Sequence, residues 1–490
     1  MNRLEHERIC GVETEFGCLV MNPELGSPED AVEAVKNAVF DDLKLGLIDM
    51  HSRDDVFEPA QSGGFLVNGA RLYIDAVGSH LEYATAECRT IWEVIANDRA
   101  GHKIINRAIE KAGVTGEVAF YNNSVDHFGG HTFGCHENYM CRMTDDFFQS
   151  SAHLLMAFLA TRQIFAGVGR VGGHRLSTRR TSPTIDQIEA NPIDYIWVSQ
   201  VYQVDPDPSI GFQLSQRADH ILKGIASRVR FNRAMINPKW EHFYSHDDFQ
   251  RLHLLFGEAN QSDYAYALKL GTTRLVISLV EDGLVPYELQ VYHPVRALQE
   301  ISRDETWKWA TTDMLGEPTT AMSIQRQYLD LATIYKGRDA ETDWVLENWA
   351  ATLDQLEKDP MQLSDKLDWV AKYQVVQQYQ SEFGCEPGDD SLISVDMEYH
   401  SIDPETSLFH ALKQMGKMQS PIPELDIIEA QTDPPSDTRA AGRSAKIREV
   451  LARKPRGPYA FDWSGAATGR HKYIDMPDPF ETYLEAVPEI

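Results

Sequence analysis

Two short strand-like runs, residues 11–17 and 68–87, carry an unusual number of acidic side chains. Strands normally contain few acids, because a half-buried carboxylate is costly unless it is paired or bound to a metal. Side chains alternate between the two faces of a strand, so Glu13 and Glu15 of the first run share one face. The pattern predicts a β-sheet that gathers carboxylates on one of its faces.

The second run adds a cation and a phenol to this acidic set. Arg71, Tyr73 and Asp75 share a face by the same alternation, and Glu82 follows in the next strand-like stretch. Carboxylates suit Mg²⁺, which usually reaches a protein through a few carboxylates and the phosphates of a substrate. The planar fork of an arginine suits phosphate oxygens. Together the two runs predict a site for Mg²⁺ and a nucleotide phosphate.

Composition limits the class of protein. The 490 residues are 42% apolar and 24% charged, which are values of globular proteins, and the length exceeds that of one simple domain. A large first domain followed by a smaller C-terminal one is the natural expectation. The net charge of −28 disfavours nonspecific binding to nucleic acid, because phosphate contacts need a basic surface.

The sequence also indicates a location. No run has the length of a membrane span, and the first eight residues lack the apolar stretch of a signal peptide. The six cysteines form no CxxC pair, which fits a reducing compartment. We therefore expect a cytoplasmic protein with no membrane partner.

Long helical patterns beside alternating strands predict the α+β class. A helix is expected over residues 91–112, where apolar residues recur at helical spacing and Gly113 provides the end. Residues 324–380 also have a helical pattern. The apolar run 275–279 is interpreted as a strand.

Two segments define the domain organisation. Residues 173–210 are rich in Arg, Ser, Thr, Pro and Asp and are interpreted as an irregular insertion. A soft boundary near residue 400 separates a catalytic domain, residues 1–400, from a small C-terminal domain, residues 401–490.

Two other patterns lack the context that their chemistry needs. Residues 167–172 match GxGxxG, but a helical run precedes them and a loop follows, whereas a dinucleotide fingerprint needs a strand before and a helix after. The histidines and cysteines of residues 127–141 do not have the spacing of structural zinc sites. His136 and Glu137 are still able to face a Mg²⁺ or phosphate site.

Motifs along nearly the whole chain resemble those of the ligases and depupylases that act on the prokaryotic ubiquitin-like protein Pup. The resemblance begins at residues 11–17 and 68–75 and is closer to the ligase branch over residues 78–88. It continues in family order to residues 461–463. The chain is therefore identified as similar to this family, and to its ligases in particular.

The resemblance implies a glutamine-synthetase-like fold, in which a curved antiparallel sheet cradles ATP and Mg²⁺. A smaller C-terminal domain would contribute to the nucleotide site. In this family ATP phosphorylates the side chain of the modifier's C-terminal glutamate, and a target lysine then attacks the acyl phosphate to form an isopeptide bond. The expected partners are a Pup-like modifier and lysine-bearing target proteins.

The resemblance also implies roles for individual residues, with Asp75 as the general base. The other implied site residues would bind either the metal (Glu13, Tyr73, Glu82 and His253) or the nucleotide and its phosphates (Arg71, Thr85, Trp463 and Arg217).

Three departures from the family pattern concern the identity of the modifier. One extra residue follows Asp75. Residues 237–244 stand where the family has a motif that contains an arginine, and this chain has Lys239 as its partial substitute. The insertion at 173–210 has no recognised counterpart. A Pup-related modifier from a divergent system is compatible with these differences.

Three other functions stay open from the sequence. A depupylase or deamidase would hydrolyse the same bond. Two features are closer to the ligase pattern: the length of the interval between the two acidic runs, and the sequence of residues 84–88. A small-molecule carboxylate–amine ligase would need no groove for a modifier. A non-catalytic binding module would have no physical need for a buried acid cluster.

Overall fold

The computed structural model describes residues 7–48, 62–75, 80–128, 130–142, 151–178, 202–226, 233–238, 249–386, 388–453, 459–468 and 473–485. The strands are β1 (Cys10–Val20), β2 (Gly46–Ile48), β3 (Gly63–Leu66), β4 (Arg71–Ile74), β5 (Leu81–Ala84), β6 (Val118–Tyr121), β7 (Cys135–Arg142), β8 (Arg170–Val171), β9 (His174–Thr178), β10 (Tyr202–Pro206), β11 (Phe212–Gln213), β12 (Lys223–Ile225), β13 (Ala234–Pro238), β14 (Phe249–Leu254), β15 (Ala310–Thr312), β16 (Pro318–Thr320), β17 (Tyr459–Asp462), β18 (Gly465–Thr468) and β19 (Tyr473–Asp475). The helices are α1 (Pro28–Asn37), α2 (Ile91–Ala112), α3 (Met156–Thr161), α4 (Gln163–Ala166), α5 (Asp263–Glu281), α6 (Pro294–Ser302), α7 (Ala321–Ala332), α8 (Ala340–Lys358), α9 (Asp368–Phe383), α10 (Asp390–Tyr399), α11 (Leu408–Gln414), α12 (Glu424–Glu429) and α13 (Arg439–Arg453).

A ten-stranded sheet organises these elements. Its strands follow the order β12-β13-β14-β7-β1-β5-β4-β3-β2, and β6 pairs with the second half of β1. The pairs are antiparallel except for β12 with β13. The α+β class with a large, mostly antiparallel sheet packed by helices is therefore confirmed.

The register of β1 aligns the acidic residues of several strands. Glu13 lies opposite Ala84 of β5 and opposite His136 of β7, and Glu15 lies opposite Glu82. Residues directly opposite one another in a sheet project from the same face. The carboxylates of β1 and β5 consequently share one face, as the alternation predicts.

The other face of the same strands is apolar. Val12 and Phe16 of β1 are buried there, and so is Tyr83 of β5. Helix α2 packs against this side. The helix begins and ends as predicted: Thr90 forms a capping box at its start, and Gly113 has a φ of 74°, a left-handed conformation that favours glycine.

Other local predictions had mixed outcomes. The helical pattern of residues 324–380 is confirmed by α7, α8 and α9. The strand expected at 275–279 is wrong, because these residues belong to α5. The two ends of the predicted insertion pair as the β9–β10 hairpin instead of being irregular, and residues 179–201 lie outside the described residues. None of the helices among the described residues combines the length and apolar content that crossing a membrane requires.

The C-terminal segment packs against the edge of the sheet that holds β3. Ile447 of α13 and Phe461 of β17 belong to the same hydrophobic cluster as Phe65 of β3. Thr438 Oγ1, just before α13, donates a hydrogen bond to the backbone oxygen of Glu87 at 2.9 Å. The Glu87 carboxylate itself forms ion pairs with Arg439 and Arg443 of α13. Charged and apolar contacts thus join the C-terminal segment to the strands.

Acid is expected to destabilise the fold partly through Glu87. Burial acts to raise the pKa of this carboxyl, but the charges of Arg443 and Arg439 outweigh burial and lower the pKa from 4.5 to about 2. A folded-state pKa below the unfolded one contributes stability above the unfolded pKa, and this stability is lost as the pH falls toward the folded value. The contribution is roughly 3 kcal/mol of unfolding free energy.

Urea titrations of the Glu87→Gln variant across this pH range test the expectation. The variant should start less stable near neutral pH and lose less unfolding free energy on acidification than the unaltered protein. Parallel losses in the two proteins would contradict the role of Glu87.

Candidate active site

The acidic face of the sheet brings together two groups of potential ligand atoms. Glu13, His136 and His253 form one group, and Glu15, Asp75 and Glu82 form the other. Within each group the ligand atoms lie within 4.8 Å of one another. Five adjacent strands, β14, β7, β1, β5 and β4, supply or lead directly to these residues.

Polar contacts hold Glu13 at the centre of the first group. Its Oε1 accepts hydrogen bonds from Asn138 Nδ2 at 3.0 Å and from Arg251 Nη1 at 3.1 Å. Its Oε2 lies 3.3 Å from His136 Nδ1, and the His136 ring is centred 5.0 Å from that of His253. The structure therefore brings together the predicted residues Glu13 and His253 and places beside them His136, which the sequence analysis considered for a Mg²⁺ or phosphate site.

Two short contacts orient the glutamates of the second group. His80 Nδ1 lies 2.9 Å from Glu15 Oε2, and the Tyr73 hydroxyl donates a hydrogen bond to Glu82 Oε1 at 2.5 Å. Tyr73 and Glu82 are direct partners across β4 and β5. Asp75 follows β4 on the same side. The structure thus places Tyr73, Asp75 and Glu82 together, as predicted.

The two carboxylates Glu82 and Glu15 differ in their electrostatic surroundings. Burial raises the pKa of Glu82 well above its usual value, and the carboxylates of Asp75 and Glu13 act in the same direction. Burial also acts to raise the pKa of Glu15, but the hydrogen bond and charge of His80 outweigh it and lower that pKa to about 2. A cation among these groups would offset the repulsion, so the donor set fits a divalent metal.

An arginine and two aromatic rings continue the site toward β3. Arg71 Cζ lies 4.4 Å from the centre of the Tyr73 ring and 5.8 Å from that of Phe65. The Phe65 and Trp463 rings meet edge to face, with centres 5.0 Å apart. The predicted nucleotide residues Arg71 and Trp463 are therefore linked through Phe65, which the sequence did not single out.

The other two predicted nucleotide residues form hydrogen bonds with backbone groups. Thr85 is buried and accepts a hydrogen bond from the Val12 backbone N–H at 3.0 Å. Arg217 is buried, and its Nη1 donates to the backbone oxygen of Leu255 at 2.7 Å. Its Nε finds no hydrogen-bond acceptor among the described residues. A buried guanidinium with an unsatisfied donor is suited to an anionic ligand.

A second arginine, Arg233, lies close to Arg217. Burial and the charge of Arg217 lower the pKa of Arg233 to about 9, and Glu15 acts in the opposite direction. Its Nε is also without a hydrogen-bond acceptor in the described part of the chain. Arg217 and Arg233 therefore place two positive charges with unsatisfied donors near Glu15, where an anionic ligand would be stabilised.

The structure also decides between readings of weaker motifs. Residues 167–172 follow helix α4 and contain the short strand β8, so the GxGxxG stretch does not have the strand-to-helix context of a dinucleotide site. Cys135 and Cys141 are buried in the hydrophobic core, on the face of β7 opposite to that of His136. Glu137, by contrast with His136, points to the core and pairs with Arg162.

Comparison with known proteins gives one consistent result. Residues 8–467 match the model of the family described as Pup-ligase protein. The chain is 31% identical to a Pup–protein ligase of Paenarthrobacter aurescens strain TC1 over 98% of both chains. It is 30% identical to a Pup–protein ligase of Corynebacterium diphtheriae, over 99% of this chain and 94% of that one.

Solved structures agree with the sequence matches. The complex between the prokaryotic ubiquitin-like protein Pup and its ligase PafA is similar with a TM-score of 0.78 and 26% identity, over 97% of this chain and 89% of that one. The Pup ligase PafA in complex with ADP is similar with a TM-score of 0.72 and 28% identity, over 89% of this chain and 93% of that one. This chain therefore belongs to the Pup-ligase protein family.

Proposed function

We propose that this protein is an ATP-dependent ligase that joins Pup, or a closely related modifier, to lysine side chains of target proteins. The observation that carries the proposal is the acidic sheet face with its two ligand groups, together with Arg71 beside Tyr73 and Arg217 in electrostatic contact with Glu15. The names of its relatives support this function, since they are Pup–protein ligases and a similar PafA structure holds ADP.

The reaction needs two steps. The γ-phosphoryl group of ATP passes to the side-chain carboxylate of the modifier's C-terminal glutamate, which gives an acyl phosphate and ADP. The lysine amine then attacks the carbonyl carbon, loses a proton and expels phosphate. Arg71 and Arg217 would orient the phosphate oxygens, and Asp75 would accept the proton from the amine.

Mg²⁺ is the metal that we propose for the site. Glu15 and Glu82 offer the oxygen donors that this ion prefers, Asp75 lies beside them for proton transfer, and Tyr73 would hold Glu82 in place through its hydrogen bond. Glu13, His136 and His253 form a mixed donor set that would hold a second divalent ion. When bound, the metal neutralises charge on the phosphates during transfer.

Trp463 and Thr85 complete the proposed nucleotide site. We assign Trp463 to stacking on the base because its ring lies at the β3 side of Arg71. Residues 401–490 would then form a small domain that contributes to this site, beside a catalytic domain of residues 1–400. The six free cysteines favour a reducing cytoplasm as its location.

A direct assay tests the function. The full-length protein is incubated with ATP, Mg²⁺, Pup that ends in glutamate and a lysine-bearing protein, and the products are mapped by mass spectrometry. We expect an isopeptide bond between the terminal glutamate side chain and a lysine, with ADP formed in step. Reactions without ATP, or with a target whose lysines are methylated, are the controls.

Two results would overturn the proposal in different ways. Cleavage of a preformed conjugate without any new adduct would identify a depupylase. Formation of an amide between free glutamate and a small amine, in a reaction without the modifier, would identify a small-molecule carboxylate–amine ligase.

A further inference from the structure

Arg443 of α13 joins three segments that are far apart in the sequence. Its Nη1 donates to the backbone oxygen of Trp463 at 2.9 Å, and its Nη2 donates to the backbone oxygen of Gly69 at 2.9 Å. The same guanidinium forms an ion pair with Glu87 and is fully buried. One side chain thus connects the C-terminal hairpin, the β3–β4 turn and the segment that follows β5.

The same guanidinium also contacts two aromatic rings. Arg443 Cζ lies 4.8 Å from the centre of the Phe65 ring and 5.0 Å from that of the Trp463 ring. These two rings contact each other at an interplanar angle of 84°. Cation–π contacts at these distances are favourable, and they depend on ring orientation. Moving Arg443 would therefore change the position of Trp463 through both its backbone and its ring.

The ion pair explains why a cation can occupy this buried position. A buried guanidinium is costly unless a carboxylate and further acceptors satisfy it. Glu87 supplies the carboxylate, and two backbone oxygens accept the remaining hydrogens of the two Nη groups. Trp463 itself is only half-buried, so part of this residue stays accessible to a ligand.

We propose that Arg443 is a positioning residue of the nucleotide site, which together with the buried Phe65 fixes Trp463 as an aromatic wall for a purine base. The proposal rests on the proposed function, in which Trp463 and Arg71 contact ATP. It assigns Arg443 to recognition of the base and not of the phosphates, because the side chain is fully buried and both of its Nη groups already donate to Glu87, Gly69 and Trp463.

Binding measurements on the Arg443→Lys variant test the assignment. Lysine keeps the charge beside Glu87 but lacks the planar fork that reaches Gly69 and Trp463 together. We expect the dissociation constant for ADP, measured by calorimetry on the full-length protein, to rise about tenfold. Competition by inorganic tripolyphosphate, which has no base, should stay within about twofold of the unaltered protein.

Arg439 provides the matched control. It lies on the same helix and its Nε donates to the same Glu87 carboxylate at 2.7 Å, but its Nη1 reaches the backbone oxygens of Met476 and Pro477. The Arg439→Lys variant should lower the melting temperature and leave the affinity for ADP within about twofold. A second variant, Phe65→Leu, removes the edge contact with Trp463 without a change of charge and should weaken ADP binding as Arg443→Lys does.

Three results would overturn the proposal. One is an unchanged dissociation constant for ADP in Arg443→Lys. Another is an equal loss of ADP and tripolyphosphate binding, which would show a general structural defect. The third is an equal loss of ADP binding in Arg439→Lys. Failure of the unaltered protein to bind ADP would instead reject the nucleotide site itself, and this proposal with it.

Discussion

Replacement of Asp75 by asparagine is expected to slow isopeptide formation by about 100- to 10,000-fold and to leave ADP binding close to its original value. A lysine amine is protonated at neutral pH, so it needs a proton acceptor before it can attack. Asp75 lies just after β4, with a carboxylate oxygen near those of Glu15 and Glu82. An asparagine amide has a similar shape but cannot take the proton.

Hydroxylamine separates the two steps of the reaction in this variant. It is a nucleophile that is largely unprotonated at neutral pH, so it captures an acyl phosphate without a general base. Asp75→Asn should therefore still form the modifier hydroxamate when ATP and hydroxylamine are present, while lysine adducts disappear. The exposed Asp41 offers a control, since Asp41→Asn should leave both products unchanged.

The position of Asp75 also defines the result that would reject its role as the general base. Asp75 belongs to the same ligand group as Glu15 and Glu82, so it is placed to act as a metal ligand as well. Equal losses of hydroxamate, lysine adduct and ADP binding would show that Asp75 holds the metal and would reject the assignment of a base.

Much of the acidic face could be predicted because it depends on local alternation. A period of two places Glu13 with Glu15, and Arg71 with Tyr73 and Asp75, without knowledge of the fold. The bounds of α2 were predictable for the same kind of reason, since a capping threonine and a left-handed glycine act within a few residues.

The residues that the sequence did not reveal are those that depend on strand order. Asn138 and Arg251 reach Glu13 because β7 lies between β1 and β14, and no local pattern encodes this order. The role of Glu15 depends on strand pairing in the same way. Its contact with His80 and its place beside Asp75 come from the pairing of β1 with β5.

The error at residues 275–279 shows the limit of short apolar runs. Their β-branched and leucine side chains are typical of a buried strand, but a helix buried on all sides has the same composition. Here Ser262 caps a helix of 19 residues, and tertiary packing around α5 outweighs local propensity.

Replacement of Glu13 by glutamine is expected to reduce ligation by at least about 100-fold, with little change in stability. Glu13 is the only carboxylate of its ligand group within the described residues, and its oxygens are already oriented by Asn138 and Arg251. Glutamine keeps the shape and one oxygen but removes the negative charge that a divalent metal needs. The loss should appear as a higher Mg²⁺ concentration for half-maximal activity, measured by titration at saturating ATP.

Glu137, on the neighbouring strand β7, provides a control in which stability is expected to change and the Mg²⁺ requirement is not. It lies one residue after His136 but projects into the core, where Arg162 and the Tyr139 hydroxyl contact it. Glu137→Gln leaves the buried Arg162 without its counter-charge and should cost about 3–5 kcal/mol of unfolding free energy. Its Mg²⁺ requirement should stay unchanged at temperatures where the variant is folded. If the two variants showed the same pattern, the separation of a metal face from a structural face would be wrong.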